Sequence, residues 1–490
     1  MTVQGPAQQL REFDFRPDTE PPMPPHRTPR ALVPLTLGAG LAVLVGCEAI
    51  EQVQDSFRDL TPHEAYQESL AAAGLAETAL GRDWLRASRA AVESPVPVSA
   101  PFEEEVFITA EEPGAMAYLV SVPRGRRLTA EIELTSADGT RVFLDLFRVA
   151  EDEGDPLRPV ISTDSVPGTF VHEPWRGGDF ILRLQPELLR GGHFRVTLQL
   201  DAQLAFPVDG YSMRAIQSIF GVARDGGRRS HDGVDIFARR GTPVLAAAQG
   251  VAYRVGITGL GGKVVWVRDP LRNFRLYYAH LDSQHVSDGD RIEIGDTLGF
   301  VGNTGNARTT PPHLHFGLYR SGEGAVDPIP FLDPPRGTLA ELTADLDQLG
   351  AWGRLVDDGI PLRAAPGTLA PVLRELPRHT AVRVLGGSGE YFRVQLPDGT
   401  GGYVAARLTE PALEPIAAQL SARGETVRAR PELEAPLVAR LDADAELPVL
   451  GRYGSYLYVQ APSGRRGWVD ADDGAPGLAA AAGDALVTQE

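Results

Sequence analysis

Between Ser230 and Tyr319 lies the stretch whose residue types and spacing suit metal chemistry. It opens with His231-Asp232-Gly233-Val234-Asp235, passes through Tyr278-Ala279-His280-Leu281 and closes with Pro312-His313-Leu314-His315-Phe316. Of the ten histidines in the chain, five fall between His231 and His315, and four of those belong to these clusters. Imidazole nitrogens and a carboxylate are ordinary ligands of a zinc that keeps an open catalytic position. In His313-Leu314-His315 the strand period of two sends both imidazoles to one face and Leu314 to the other. In His231-x-x-x-Asp235 the intervening Gly233 lets the chain bend, so the pair need not sit on a helix. A lone histidine is usually a surface or satisfied core residue, but four clustered with glycines are not. The residues therefore point to a metal held by His231, Asp235 and one histidine of the 313/315 pair, with a further position left for water. His280 and the remaining histidine stand beside that water as proton-transfer groups or oxyanion donors. An imidazole, with its ordinary pKa of about 6.5, suits either task at neutral pH.

Short strands must carry these groups. They are expected at 249–256, 262–268, 273–279, 290–294 and 313–319, with Gly261-Gly262 as a hairpin turn before Lys263 and Asp288-Gly289-Asp290 as another before Ile292. The metal then lies on one face of a sheet. No HExxH occurs, which removes the commonest helical class of zinc protease. Asp232 and Asp269 read as solvated carboxylates rather than ligands.

These motifs resemble the lysostaphin/LytM-type zinc metallopeptidases (family M23), which cut peptidoglycan peptides. The resemblance rests on His231-x-x-x-Asp235, Tyr278-Ala279-His280-Leu281 and His313-x-His315. It is joined by Gly241-Thr242-Pro243-Val244-Leu245-Ala246-Ala247 and by Gly299-Phe300-Val301-Gly302-Asn303-Thr304-Gly305. It covers about 205–333 and lacks no diagnostic position. It implies an all-β peptidase domain, a Zn2+ cofactor held by His231, Asp235 and His315, and a catalytic pair His280 and His313 around the tetrahedral intermediate. One departure stands just before the catalytic strand, where the family's usual Ser-x-Gly-Pro-His is replaced by Thr309-Thr310-Pro311-Pro312-His313.

Composition narrows the setting. The 490 residues carry a net charge of −18, and Lys263 is the sole lysine. Such an acidic chain without a basic, aromatic-interleaved stripe is not a nucleic-acid binder. High glycine and proline with short apolar runs favour β-rich domains, two to four of them at this length. The single cysteine, Cys47, excludes an intrachain disulfide framework. It ends an uncharged apolar run from Ala31 to Gly46, behind Arg27 and Arg30, as in an export signal. Leu44-Val45-Gly46-Cys47 resembles a bacterial lipobox, which implies a lipid-modified Cys47 as mature N-terminus and a membrane anchor. Residues 1–22 are acidic and unlike a signal head, so Met23 is the expected true start of the 1–47 export segment. Glu48 stands where inner-membrane retention signals place Asp, which points to the outer membrane facing the periplasm.

Beyond Cys47 the chain is expected to be mainly β. Residues 48–100 supply a tether, a short helical segment opened by the capping box Thr61-Pro62-His63-Glu64, and a linker at Ser94-Pro95-Val96-Pro97-Val98. Period-two alternation over 101–204, as in Leu128–Leu134 and Phe180–Leu184, reads as a β-sandwich that resembles pre-peptidase modules. The peptidase domain follows at 205–333. The last third repeats at an offset of 65: Leu362-Arg363-Ala364-Ala365-Pro366 matches Val427-Arg428-Ala429-Arg430-Pro431, and Gly402-Tyr403-Val404 matches Gly467-Trp468-Val469. The units 353–411 and 419–472 resemble bacterial SH3 domains, small barrels that hold wall peptides or partner proteins. Their aromatics Tyr391, Tyr403, Tyr456 and Trp468 read equally as stacking positions or as barrel core. Residues 473–490 form a Gly/Ala-rich tail expected to be disordered.

Together these features imply a zinc endopeptidase acting on peptidoglycan cross-links, with wall or division proteins as candidate partners of the repeats. The alternative is a non-catalytic scaffold that activates wall amidases. Such family members normally lack part of the metal set, which this chain keeps entire.

Overall fold

The computed structural model describes residues 60–135, 140–150, 157–165, 168–334, 336–421 and 425–471. Cys47, the export segment and the C-terminal tail lie outside the described residues. Among the described residues no helix is long and apolar enough to cross a membrane.

The expected capping box is formed. The Thr61 hydroxyl accepts from the Glu64 amide, and the Glu64 carboxylate accepts from the Thr61 amide, opening helix Pro62–Ala72. The break foreseen near Gly74 separates it from a second helix, Ala79–Glu93. Leu70 and Trp84 from this pair bury themselves against Phe143 of the neighbouring β-layer.

That layer is a two-sheet sandwich around Tyr118, Leu128, Val142, Phe180 and Phe194. One sheet has five strands, in the order Val96–Val98, Met116–Val122, Gly178–Pro186, Val142–Arg148, Pro159–Thr163. The segment read as a linker is therefore partly an edge strand, with Val96–Val98 running parallel to Tyr118–Val120. An edge position tolerates Pro97, since one side of the strand needs no donor.

The opposite sheet departs more from expectation. Its strand Phe102–Ile108 pairs with Gly192–Ala202 on one side and with Ala381–Ser388 of the first repeat on the other. Sandwich and first repeat thus share one 11-stranded sheet rather than a separate closed barrel. The junction uses glycine, because a Cβ on Gly386 would lie 3.0 Å from the Glu105 carbonyl oxygen. Beneath it the fully buried Glu104 accepts from the hydroxyls of Tyr118 (2.7 Å) and Tyr403 (2.8 Å) and pairs with Arg393 (3.3 Å).

The second repeat forms a six-stranded sheet and docks on the first with the equivalent face. Gly451, 65 residues after Gly386, approaches Ala381, and Trp468, the counterpart of Tyr403, packs on Trp352 and Tyr458. Tyr403 and Trp468 are therefore buried at junctions, Tyr391 is buried and Tyr456 is half-buried. The face that could have stacked on a ligand is largely spent on the preceding unit.

The peptidase region is built on an eight-stranded antiparallel sheet. Its path runs Ile216–Ser218, Val234–Phe237, His313–Arg320, Phe274–Leu281, Gly262–Asp269, Gly250–Thr258, Arg291–Ile292, with Gly324–Val326 pairing off this path to His313–Arg320, and a three-stranded sheet packs against it. Val234, Ile236, Val265, Leu276, Tyr278, Phe316 and Leu318 fill the core between them. The strands expected at 249–256, 262–268 and 313–319 appear within two residues, whereas 290–294 shrinks to Arg291–Ile292. The region is fixed to the sandwich by a bidentate Arg272–Glu173 pair and by Trp175, whose ring takes the guanidinium groups of Arg124 at 4.3 Å and Arg320 at 4.2 Å.

Candidate metal centre

Strand pairing brings the sequence motifs together. Asp235 lies opposite His315, and His315 lies opposite Ala279. Cross-strand partners project to the same face, so Asp235 and His315 meet over the sheet. His231 arrives from the loop before its strand and is held by Ile219, whose carbonyl oxygen is 2.9 Å from Nδ1. A carbonyl only accepts, so Nδ1 carries the proton and Nε2 presents a bare lone pair.

That lone pair lies 3.0 Å from Asp235 Oδ1 and 3.0 Å from His315 Nδ1, and the last two atoms are also 3.0 Å apart. Three lone-pair-bearing atoms in such a triangle repel unless a cation or shared protons lie among them. A tetrahedral zinc with bonds of about 2.0–2.1 Å would set its ligands roughly 3.3 Å apart, so the triangle fits the ion with slight relaxation. The His, Asp, His donor set is that of a catalytic zinc, and these side chains form a metal-binding cluster. Burial works against ionisation of Asp235, yet the adjacent His231 and His315 hold its carboxyl well below the usual carboxylate range. Burial pulls His315 down, favouring the neutral imidazole that a metal requires.

Backbone details make this approach feasible. A Cβ on Gly233 would lie 2.4 Å from the Phe316 carbonyl oxygen and 2.9 Å from the His315 ring. Glycine is therefore needed there for space as well as for bending. Behind the cluster Arg224 Nη2 donates to Asp235 Oδ2 (2.6 Å) and to Ser218 Oγ (2.6 Å), turning Oδ1 toward the histidines.

His280 and His313 complete the constellation. Alternation along Phe274–Leu281 would send His280 toward the core, on the side of the buried Tyr278. Instead the register slips between Val265 and Lys263, and His280 takes a left-handed φ of 64°, which brings its ring within 5.0 Å of His313 and 5.9 Å of His315. Such a conformation is uncommon outside glycine and is a form of strain found at functional sites. Its Nδ1 donates to the Thr304 carbonyl at 2.9 Å, leaving Nε2 free to accept. Burial, with the neighbouring His313 and His315, lowers its pKa to about 4. His313 donates from Nδ1 to the Pro311 carbonyl at 2.9 Å and stacks on Phe237. The unusual Pro311-Pro312 dipeptide is compatible with this, because only a backbone oxygen is used.

All five residues singled out in the sequence converge. Asp232 is exposed as expected, whereas Asp269 is not solvated but buried and paired with Arg272 at 2.7 Å; neither joins the cluster. Sequence reading missed Arg224 and Ser218, which have no spacing signature. Thr304 was inside a noted motif, but its role as an anchor for His280 was not legible there.

Residues 229–328 match Peptidase family M23, and residues 358–410 match a Bacterial SH3 domain. The chain thus contains an M23-type zinc-peptidase domain and one bacterial SH3-like domain. The L-Ala--D-Glu endopeptidase of Bacillus subtilis (strain 168) is 37% identical over 139 residues, covering 26% of this chain and 42% of that protein. The DD-carboxypeptidase/endopeptidase Mpg of Neisseria meningitidis serogroup B is 38% identical over 117 residues, covering 24% of this chain and 26% of that protein. A solved structure of LytU is 35% identical and covers 25% of this chain and 87% of that one, with a TM-score of 0.23. The chain spans less than half the length of these curated relatives.

Proposed function

We propose that this protein is a zinc-dependent endopeptidase that hydrolyses peptide bonds of bacterial peptidoglycan. The observation that carries the proposal is the triangle of His231 Nε2, Asp235 Oδ1 and His315 Nδ1, with two further imidazoles, His280 and His313, beside it. In this reading His231, Asp235 and His315 are the ligands. When bound, zinc supplies Lewis acidity and brings the pKa of a water toward about 7. His280, kept unprotonated by burial, accepts the proton of the attacking water through Nε2, and Thr304 holds its ring in that tautomer. The protonated His280 then passes that proton to the leaving amine, while His313, fixed between Phe237 and the Pro311 carbonyl, stands across the site beside the developing oxyanion.

The relatives are named for different bonds, L-Ala--D-Glu in one and DD-linkages in another. The bond cut here is therefore read from the envelope, and in a wall with direct cross-links it is D-Ala to a diamino acid. Completeness of the five-residue set speaks against a purely scaffolding role in activating amidases. Digesting purified sacculi and analysing the released muropeptides tests the proposal. Cleaved cross-links that vanish on zinc chelation and return with zinc are expected, whereas intact cross-links under full zinc loading would refute it.

The wider reading is also ours: lipidation at Cys47, anchoring to the outer membrane facing the periplasm, and a second SH3-like unit at 419–472. It draws on the lipobox-like sequence and on the 65-residue repeat, whose Gly386/Gly451 and Tyr403/Trp468 pairs occupy matching docking positions. A Cys47→Ser protein that is still processed and recovered with membranes would refute the anchor.

A further inference from the structure

The outward residues of the catalytic sheet fall into cross-strand rows. The metal row is Ala279, His315, Asp235 and Ser218. Two residues along the strands the row is Tyr253, Trp266, Tyr277 and Gly317. Two residues further it is Arg291, Val251, Arg268, Arg275 and Tyr319. The residues between these rows, among them Val267, Leu276 and Leu318, are buried on the other face, so the rows themselves point outward.

The middle row is an aromatic floor. Tyr277 lies 5.8 Å from the His315 ring, Trp266 lies 4.4 Å from Tyr277, and Tyr253 continues at 6.1 Å from Trp266. Tyr319 leans in beside Trp266 at 5.2 Å over Gly317, where a Cβ would come within 2.9 Å of its ring. All four aromatics remain half-exposed, so their faces are available to a ligand.

The outer row is basic in a chain whose net charge is −18. Arg268 and Arg275 are exposed and directly opposed, an arrangement that is unfavourable because like charges repel across a strand pair. Arg291 joins them from the sheet edge, and none of the three forms an ion pair among the described residues. Neighbouring carboxylates have other partners: Asp269 holds Arg272, Asp288 accepts from the Val255 amide and Asp290 from the Ser287 amide. Asp232 bears on Tyr319, at the opposite end of the row from Arg291.

We propose that this strip is the docking surface for the substrate, with the aromatic row carrying the peptide chain and the arginine row taking a carboxylate of that peptide. Two rows correspond to roughly 13 Å along the strands. An extended peptide covers about 3.3–3.6 Å per residue, so the carboxylate lies about four residues from the scissile bond. The site therefore selects acidic wall peptides over amidated ones. This inference rests on the peptidase proposal for the choice of ligand.

The test uses a synthetic cross-linked stem peptide with free carboxylates and its fully amidated counterpart. Binding is measured by fluorescence anisotropy on the full zinc-loaded chain carrying His280→Ala to stop turnover. The free-acid form is expected to bind about tenfold tighter than the amidated form, with the difference shrinking as salt rises. In a chain that also carries Arg268→Gln and Arg275→Gln, both exposed positions, the preference should vanish while affinity for the amidated peptide stays unchanged. Equal binding of the two forms, binding of neither, or a preference that survives the double substitution overturns the proposal. Hydrolysis by the unsubstituted chain is scored separately. Preference without hydrolysis refutes the peptidase reading and leaves the strip, whereas hydrolysis without preference does the reverse.

Discussion

Acidification should loosen the helical pair from the sandwich through His63. This residue is 2% exposed, stacks on Trp84 at 4.9 Å and lies 2.8 Å from the Gln185 amide oxygen. Burial, with the nearby Arg183 guanidinium, lowers its pKa to about 4 from an ordinary 6.5. Protonation is thus disfavoured in the docked form and free in the undocked one. The stabilisation is complete above the undocked pKa and is lost as pH falls from 6.5 through about 4. Linkage across that window gives a loss of about 2 kcal/mol at pH 5 and about 3 kcal/mol at pH 4. The population of undocked helices should then rise about thirtyfold and about 150-fold relative to neutral pH. Hydrogen exchange of amides in Ala79–Glu93, corrected for intrinsic rates, reads this local opening directly. Other groups titrate in the same range, so the decisive quantity is the difference from His63→Phe, which keeps a ring on Trp84 but cannot titrate. The substituted chain starts less protected because it loses the Gln185 bond, but its protection should change less with pH. Parallel pH dependence in the two proteins would refute the assignment.

Further outcomes follow from the same geometry. His231→Ala, Asp235→Ala and His315→Ala should abolish stoichiometric zinc, measured by elemental analysis. His280→Ala and His313→Ala should keep zinc and lose activity by about 10²-fold or more, because they act on the transition state. Arg224→Gln should weaken zinc binding by about 10–100-fold in a chelator competition, since Asp235 loses the donor that orients it; unchanged affinity would show that the arginine is dispensable. Glu104→Gln should destabilise the junction of sandwich and first repeat by about 3–5 kcal/mol, because Arg393 is left buried without its counter-charge. Removing residues 353–490 should likewise expose strand Phe102–Ile108 as a bare edge, seen as a lower unfolding temperature and self-association; a truncated chain as stable and monomeric as the parent would refute that coupling.

The metal chemistry was legible in the sequence because it depends on residue type and short spacing. Period two alone put His313 and His315 on one face, and Gly233 marked the bend between His231 and Asp235. The capping box at Thr61 and the 65-residue repeat were legible for the same reason, since each is written in local or periodic pattern. Other features depend on which strands become neighbours, which no local pattern records. His280 reaches the site only through a register slip and a left-handed backbone, against the alternation of its own strand. Ser218 meets Asp235 because two strands pair, and Arg224 reaches both from a separate hairpin, so no spacing in the sequence marks either residue. The aromatic and basic rows beside the metal exist only once five strands are set in register. Tyr403 and Trp468 could serve as ligand platforms or as core in sequence, and the docking of each repeat on its predecessor buried them. A sequence specifies which groups can do chemistry, but long-range pairing decides which of them meet, because that choice is made by burial and register across the whole sheet.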